Sequence, residues 1–391
     1  MVTDSGGELQ TIGAESHASS DRVPPWLRLL LVFGFLYVFL VGVGLLESGI
    51  RAFGSGFEEE LLSRVANPLA GLFAGIAATV VVQSSSITTS TIVGLVGAGT
   101  MPVRLAIPMV MGANIGTTIT NTIASLGSVR RPEEFRRAFA AATMHDFFNL
   151  IGVMILFPLE LLTGLLSKTA HRLADALGRS GVSGSDAESP IRTVVKGGAG
   201  LIEASVERVF ASGTALGVAL VLIGVALLFL SLRLVTTNMR TVLAGRFEVA
   251  MNRVLDRGGG LTGMFIGVVI TVLVMSSSIT TSILVPMVAA GILTTRNAYP
   301  ITLGANIGTT ATALIASLAV VRPEGLVIAL VHMLFNVVAI AIIYPFRGLR
   351  YIPVRLAEAL AEQAVARRSV VAGYIIGVFV AVPFLGVILL S

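Results

Sequence analysis

The chain has 391 residues, 54% of them hydrophobic and 13% charged, with no cysteine and a formal net charge of +5. Soluble domains carry about 25% charged residues, so this composition excludes an ordinary water-soluble enzyme and points to burial in lipid. Without cysteine there is no disulfide and no thiolate metal site. The surplus positive charge lies in loops between apolar runs, where bilayer asymmetry accounts for it without nucleic acid.

In chain order, residues 1–25 are polar and Ser/Gly-rich, with neither an apolar core nor a cleavage site, and are expected to form a disordered cytoplasmic tail rather than a signal peptide. Trp26–Leu46 is a first span, since about 20 apolar residues cross about 30 Å of hydrocarbon as a helix. Phe139–Leu161, Ala211–Leu232 and Val370–Leu390 are of the same kind. The alternation of an outer-membrane barrel is absent, so an all-α polytopic membrane protein is expected.

The rest of the order comes from an internal duplication. Gly71–Leu126 aligned without gaps on Gly263–Leu318 is identical at 32 of 56 positions. Ser84-Ser85-Ser86-Ile87-Thr88-Thr89-Ser90 recurs from Ser276, Gly112-Ala113-Asn114-Ile115-Gly116-Thr117-Thr118 recurs from Gly304, and His145-x-x-Phe148-Asn149 is echoed by His332-x-x-Phe335-Asn336. Repeat 1 covers 26–164, with an amphipathic stretch 47–67, a hairpin at 70–99, a broken helix at 103–126 and a span at 137–163. A polar linker covers 165–209. Repeat 2 covers 210–350, with an amphipathic stretch 233–259, a hairpin at 262–291, a broken helix at 298–320 and a span at 326–346. A connector and terminal span cover 351–391.

The Ser/Thr-broken segments are too polar at their centres for lipid-facing helices, and irregular backbone at membrane depth needs protein or a water cavity around it. They are expected to be re-entrant hairpins. Each repeat then makes three crossings, so the second copy is inverted, and most Lys and Arg, including the cluster Arg130, Arg131, Arg136 and Arg137, fall on the cytoplasmic side.

Inverted repeats with broken helices mark transporters whose sites lie at mid-membrane. Half-helix N-termini there suit an oxyanion. Gln83, Ser84, Ser85 and Ser86, with Ser276, Ser277 and Ser278, are the candidate cradle; the competing reading is hydroxyls bonding carbonyls a turn back. Sodium prefers hard oxygen ligands, and Asn114, Thr117, Asn306 and Thr309 offer them if the glycines unwind the helix; the competing reading is glycine-mediated helix packing. Asp146 is an intramembrane acid without a twin, Met333 standing in the matching place, which makes it a candidate for a cation role. His145 and His332 read as structural.

Taken together, Asn67-Pro68-Leu69-Ala70-Gly71, Gln83-Ser84-Ser85-Ser86, Gly-Ala-Asn-Ile-Gly-Thr, Phe135-Arg136-Arg137-Ala138-Phe139 and His145-Asp146-x-Phe148-Asn149 resemble the type II sodium–phosphate cotransporter family. The resemblance implies phosphate held by Gln83 to Ser86 and Ser276 to Ser278, with Asn149, Asn306 and Thr309 as sodium ligands. Asp146 matches the acid of electrogenic members. It implies a sodium-coupled phosphate symporter working by alternating access in the cell inner membrane, not an enzyme, with Na+ as coupling ion and no other cofactor. Oligomerisation, including a homodimer, is left open. Two departures stand out. Met275 replaces a second Gln, which keeps another oxyanion such as sulfate or a phosphonate in play, and Ser128 and Arg131 occupy positions where relatives carry a sodium-binding Gln and Asp. An anion channel is the alternative from another class.

Overall fold

The computed structural model describes residues 23–54, 67–179, 190–210, 213–257 and 260–390; side chains of 244–257 are outside the description. The expected N-terminal tail and most of the amphipathic stretch 47–67 lie outside the described residues. Among the described residues the secondary structure is helical throughout.

Among the described residues, five helices, or parts of helices, are long and apolar enough to cross a membrane: Pro25–Ala52, Pro132–Thr163, Thr214–Leu243, Glu324–Ile343 and Ser369–Leu390. The protein is therefore an all-α, multi-pass membrane protein. In order, α1 is Pro25–Ala52, α2 Pro68–Val82, α3 Ser85–Ala98, α4 Val103–Gly116, α5 Ile119–Ser125, α6 Pro132–Thr163, α7 Leu165–Arg179, α8 Pro190–Glu207 and α9 Thr214–Arg257. Then come α10 Gly260–Val274, α11 Ser277–Ala289, α12 Thr295–Ser317, α13 Glu324–Ile343, α14 Arg347–Arg350, α15 Ile352–Ala366, α16 Ser369–Ile376 and, beyond a π-helical turn at 377–381, α17 Val382–Leu390.

The two Ser/Thr-broken segments are each two short helices joined by a two-residue break. Helix α2 begins where the Asn67 side chain accepts from the Leu69 N–H, with Pro68 in the first turn, where its missing N–H costs nothing. It ends at Gln83, which lies in the left-handed region at φ 59°. Met275 occupies the same place between α10 and α11 at φ 58°, and these two are the only positive-φ non-glycine residues among those described. The chain doubles back there, since Thr271 and Thr280, on opposite sides of the break, share a hydroxyl hydrogen bond of 2.8 Å.

Close backbone approach at glycine sets the pairing of neighbours. A Cβ on Gly75 would run into the Met109 carbonyl, and one on Gly112 into the Leu72 carbonyl. The second copy repeats this with Gly267 on Ile301 and Gly304 on Met264. In both cases the partner numbers run in opposite directions, so α2 is antiparallel to α4, and α10 to α12. Helices α1 and α9 cross in the same manner, through Gly42 on Gly224 and Gly49 on Gly217, and are also antiparallel. Small residues permit such approach where no hydrophobic force drives helices together in lipid.

The halves exchange partners. Helix α3 packs on α13 and α11 on α6, while α7 packs on α13 and α15 on α6. A shared core results, with Phe39, Phe135, Phe139, Phe148, Tyr299 and Phe335 wholly buried. Phe33 and Leu162 stand outward, as expected of side chains that meet acyl tails.

The polar linker contains α7 and α8, and Leu166, Ala170 and Ala174, at helical spacing, bury one face of α7. Two expectations change. The anticipated break at 298–320 is absent, because α12 is continuous with Pro300 inside it. In the first copy the break is a turn at Thr117–Thr118 in right-handed conformation. The same threonine-to-carbonyl bonds occur in both copies, and nothing in the structure explains the difference. Nor do the motif glycines unwind the helix. They are the sites of close packing, Gly112 on α2 and Gly304 on α10, and Gly116 and Gly308 lie against Thr79 and Thr271 in the same way.

Candidate functional site

Each hairpin turn starts a new helix with serines. Ser84 is the N-cap of α3, its hydroxyl accepting from the Ile87 N–H at 3.3 Å. Ser276 precedes α11 in the same extended conformation, with no side-chain capping bond. The first turn of each helix leaves backbone N–H groups without intrahelical partners and a partial positive charge.

These two N-termini face one cavity of about 220 Å³. It is lined by Val82, Gln83, Ser84, Ser85, Ser86 and Ile87 from the first hairpin and by Met275, Ser276, Ser277 and Ser278 from the second. All seven residues expected to cradle an anion therefore lie around one space. The tips touch directly: the Ser86 hydroxyl donates to the Met275 carbonyl at 3.4 Å. Gln83 donates from Nε2 to the Val80 carbonyl at 3.4 Å, a long bond that a better acceptor could displace.

The far ends of the same helices carry arginine. Arg137 donates from Nε to the Ala289 carbonyl at 2.9 Å, at the C-terminus of α11. The Arg322 guanidinium lies over Gly99, which ends α3 at φ 83°. A cation at each C-terminus and the cavity at each N-terminus is the arrangement favoured by the helix dipole.

The candidate sodium residues divide into separate groups, none of which lines the cavity. Asn114, Asn149 and Asn306 form one buried network that crosses between the copies. Asn306 donates to the Asn149 side-chain oxygen at 2.8 Å, and Asn149 to the Asn114 carbonyl at 2.8 Å. Asn306 Oδ1 is hydrogen-bonded to His145 Nε2. Because the Asn306 amide NH2 is already donating, that oxygen accepts and the His145 Nε2 carries the proton. The mirror contact joins His332 Nε2 to Asn114 Oδ1 at 3.4 Å, with Asn336 donating to the same oxygen at 3.2 Å. Each histidine thus braces the other copy's Gly-Ala-Asn motif.

Thr117 and Thr309 donate to the carbonyls of Ala113 and Ala305, at 2.9 and 3.0 Å, leaving hydroxyl lone pairs able to accept or coordinate. Asp146 belongs to a different group. Its Oδ2 accepts from Tyr374 at 2.6 Å and from Thr122 at 3.4 Å, while Oδ1 is buried and has no hydrogen bond among the described residues. At the entry to α6, Arg131 donates from Nη1 to both carboxylate oxygens of Glu134 at 2.8 Å, so this position holds a paired cation.

Sequence reasoning missed Phe229, Leu232, Arg233 and Thr236, which close the cavity from α9. They lie outside every repeated motif. It also missed Tyr374, which lies in the terminal span outside the duplication, and Asn121, whose Oδ1 accepts from Thr281 of the other hairpin at 2.8 Å.

Comparison with known proteins identifies the family. The family model described as Na+/Pi-cotransporter matches residues 38–172 and 204–353. Sodium-dependent phosphate transport protein 2A of Oryctolagus cuniculus is 33% identical, over 92% of this chain and 67% of that protein. The 2A protein of Rattus norvegicus is 32% identical over the same shares, and the 2B protein of Homo sapiens 31% identical over 91% and 64%. The chain spans about two thirds of the length of these relatives. No solved structure matches it. Both hairpins, both Gly-Ala-Asn motifs and the histidine network fall inside the matched segments, and the chain belongs to the Na+/Pi-cotransporter family.

Proposed function

We propose that this protein is a secondary active transporter that couples sodium entry to uptake of inorganic phosphate by alternating access. The observation that carries the reading is the cavity at which Gln83–Ser86 and Ser276–Ser278 converge. Tetrahedral oxyanions need several hydrogen-bond donors from different directions. Two helix N-termini, six serine hydroxyls and the Gln83 amide supply them without fixed negative charge nearby. The relatives' names, which specify sodium-dependent phosphate transport, support the same substrate and coupling ion.

The hairpins are proposed to be re-entrant. Limbs of 15 and 14 residues reach only about 21–23 Å at 1.5 Å per residue, short of the roughly 30 Å hydrocarbon core. The antiparallel crossing of α1 and α9 supports an inverted second repeat, and basic residues then favour a cytoplasmic N-terminus in a cell inner membrane.

Sodium is proposed to bind at buried oxygen-rich positions outside the lining of the anion cavity. Asp146, with a buried oxygen that has no hydrogen bond among the described residues, has the chemistry for a cation, and Asn149, Asn306, Asn114, Thr117 and Thr309 are the further candidates. Cation binding would offset the anion's charge before the hairpins move relative to the α1–α9 pair. Each charge crossing with the potential contributes about 2.3 kcal/mol per 100 mV.

Labelled-phosphate uptake into proteoliposomes with an imposed sodium gradient tests the reading. Accumulation above the external concentration is expected, and only with the gradient. Equilibration alone would indicate a channel. Met275 favours one second reading, a different small oxyanion; sulfate and methylphosphonate as competitors in the same assay distinguish it.

A further inference from the structure

We infer that Arg233 is the residue that supplies positive charge to the bound anion and sets how tightly it is held. The inference rests on the cavity being the phosphate site. Every donor contributed by the two hairpins is neutral, and among the described residues Arg233 is the one charged residue that lines the cavity. It comes from α9, outside both Ser-rich turns. The residue is exposed and has no ion pair or hydrogen bond among the described residues.

Its placement is held by its own helix. Thr236, one turn further along, donates to the Val274 carbonyl at 3.0 Å, which fastens this face of α9 beside Met275. On the buried side Val235 is fully enclosed. Met275 is also where the second copy lacks the amide donor that Gln83 gives the first, so the arginine adjoins the poorer half of the cradle. A guanidinium presents a planar fork of donors that matches two oxyanion oxygens at once. Because α9 pairs with α1 while the cradle belongs to the hairpins, an anion held by both would bridge the two bodies.

The test is phosphate uptake against phosphate concentration for the full chain in proteoliposomes, comparing wild type, R233Q, R233K and Gln83→Ala. R233Q is expected to raise the phosphate KM about ten- to hundredfold, with Vmax within about twofold and sodium dependence retained. R233K is expected to fall between R233Q and wild type, keeping the charge but not the fork. An unchanged KM in R233Q while Gln83→Ala loses uptake overturns the role of Arg233 and leaves the cavity standing. An unchanged KM in both variants removes the cavity reading and this inference with it. If R233Q does not reach the membrane, wild-type protein treated with phenylglyoxal, with and without inorganic phosphate, decides by peptide mass. Protection of Arg233 by phosphate is expected, and equal labelling overturns the proposal.

Discussion

The Ser86 hydroxyl donates to the Met275 carbonyl at 3.4 Å across a sequence separation of 189 residues. Met275 is the duplicate of Gln83, and both hold the left-handed conformation at φ 58° and 59°. Two strained turns are thus set against one another around the cavity. A non-glycine residue in that region costs roughly 1 kcal/mol or more, and such strain persists only where surrounding packing enforces it.

Gln83 separates the conformational role from the chemical one. Gly adopts φ 59° freely, so Gln83→Gly should keep the turn and leave thermal stability equal to wild type or slightly higher. It removes the amide, so phosphate KM should rise about tenfold. Thermal unfolding in detergent and concentration-dependent uptake measure the two effects; an unaltered KM would show that the amide does not reach the anion.

Met275→Gln is expected to act in the opposite direction. It restores an amide donor at the matching turn with no change of backbone demand, and phosphate KM should fall several-fold while sulfate competition weakens. Identical values for variant and wild type would mean that this side chain points away from bound substrate.

Glycine-to-alanine changes should divide sharply by position. At Gly304 a Cβ meets the Met264 carbonyl, whereas at Gly34 no atom lies within 4 Å. Overpacking against backbone costs about 1–3 kcal/mol or more. Gly304→Ala is therefore expected to lower the unfolding temperature and the yield of folded protein, and Gly34→Ala to do neither.

Asp146→Asn is expected to lower the charge moved per phosphate, read as current against labelled uptake in the same vesicles. Tyr374→Phe removes the 2.6 Å hydrogen bond to that carboxylate and should shift sodium dependence less, without abolishing it. A charge-to-phosphate ratio identical in Asp146→Asn and wild type would remove Asp146 from the coupling scheme.

The crossed histidine contacts predict energetic coupling between the halves. His145→Ala and Asn306→Ala should each destabilise the protein, and the double variant should cost less than their sum by about 0.5–3 kcal/mol. Strict additivity in a double-mutant cycle would mean that the pair contributes nothing jointly.

Much of this was legible in the linear sequence because it depends on local or repeated features. Apolar runs of bilayer length specify spans whatever their neighbours, and a duplicated segment declares itself by identity. A serine following a chain break announces a helix N-terminus, so Gln83–Ser86 and Ser276–Ser278 could be singled out. The Gly-Ala-Asn motif could be found but not interpreted. Loosened helix and close helix packing need the same glycines, and only the Leu72 and Met264 carbonyls lying against Gly112 and Gly304 decide between them.

What only the tertiary structure decided are relations between distant positions. Periodicity within α9 places Arg233 on a helix face but cannot say that the face closes a cavity made by two hairpins. His145 reaches Asn306 through the exchange of packing partners between the halves, and Tyr374 reaches Asp146 from the terminal span outside the duplication. Such contacts are set by how rigid helices fit side by side, a property of surfaces assembled from the whole chain. Composition and repetition determine which segments enter the membrane; shape complementarity between those segments determines which polar groups meet there.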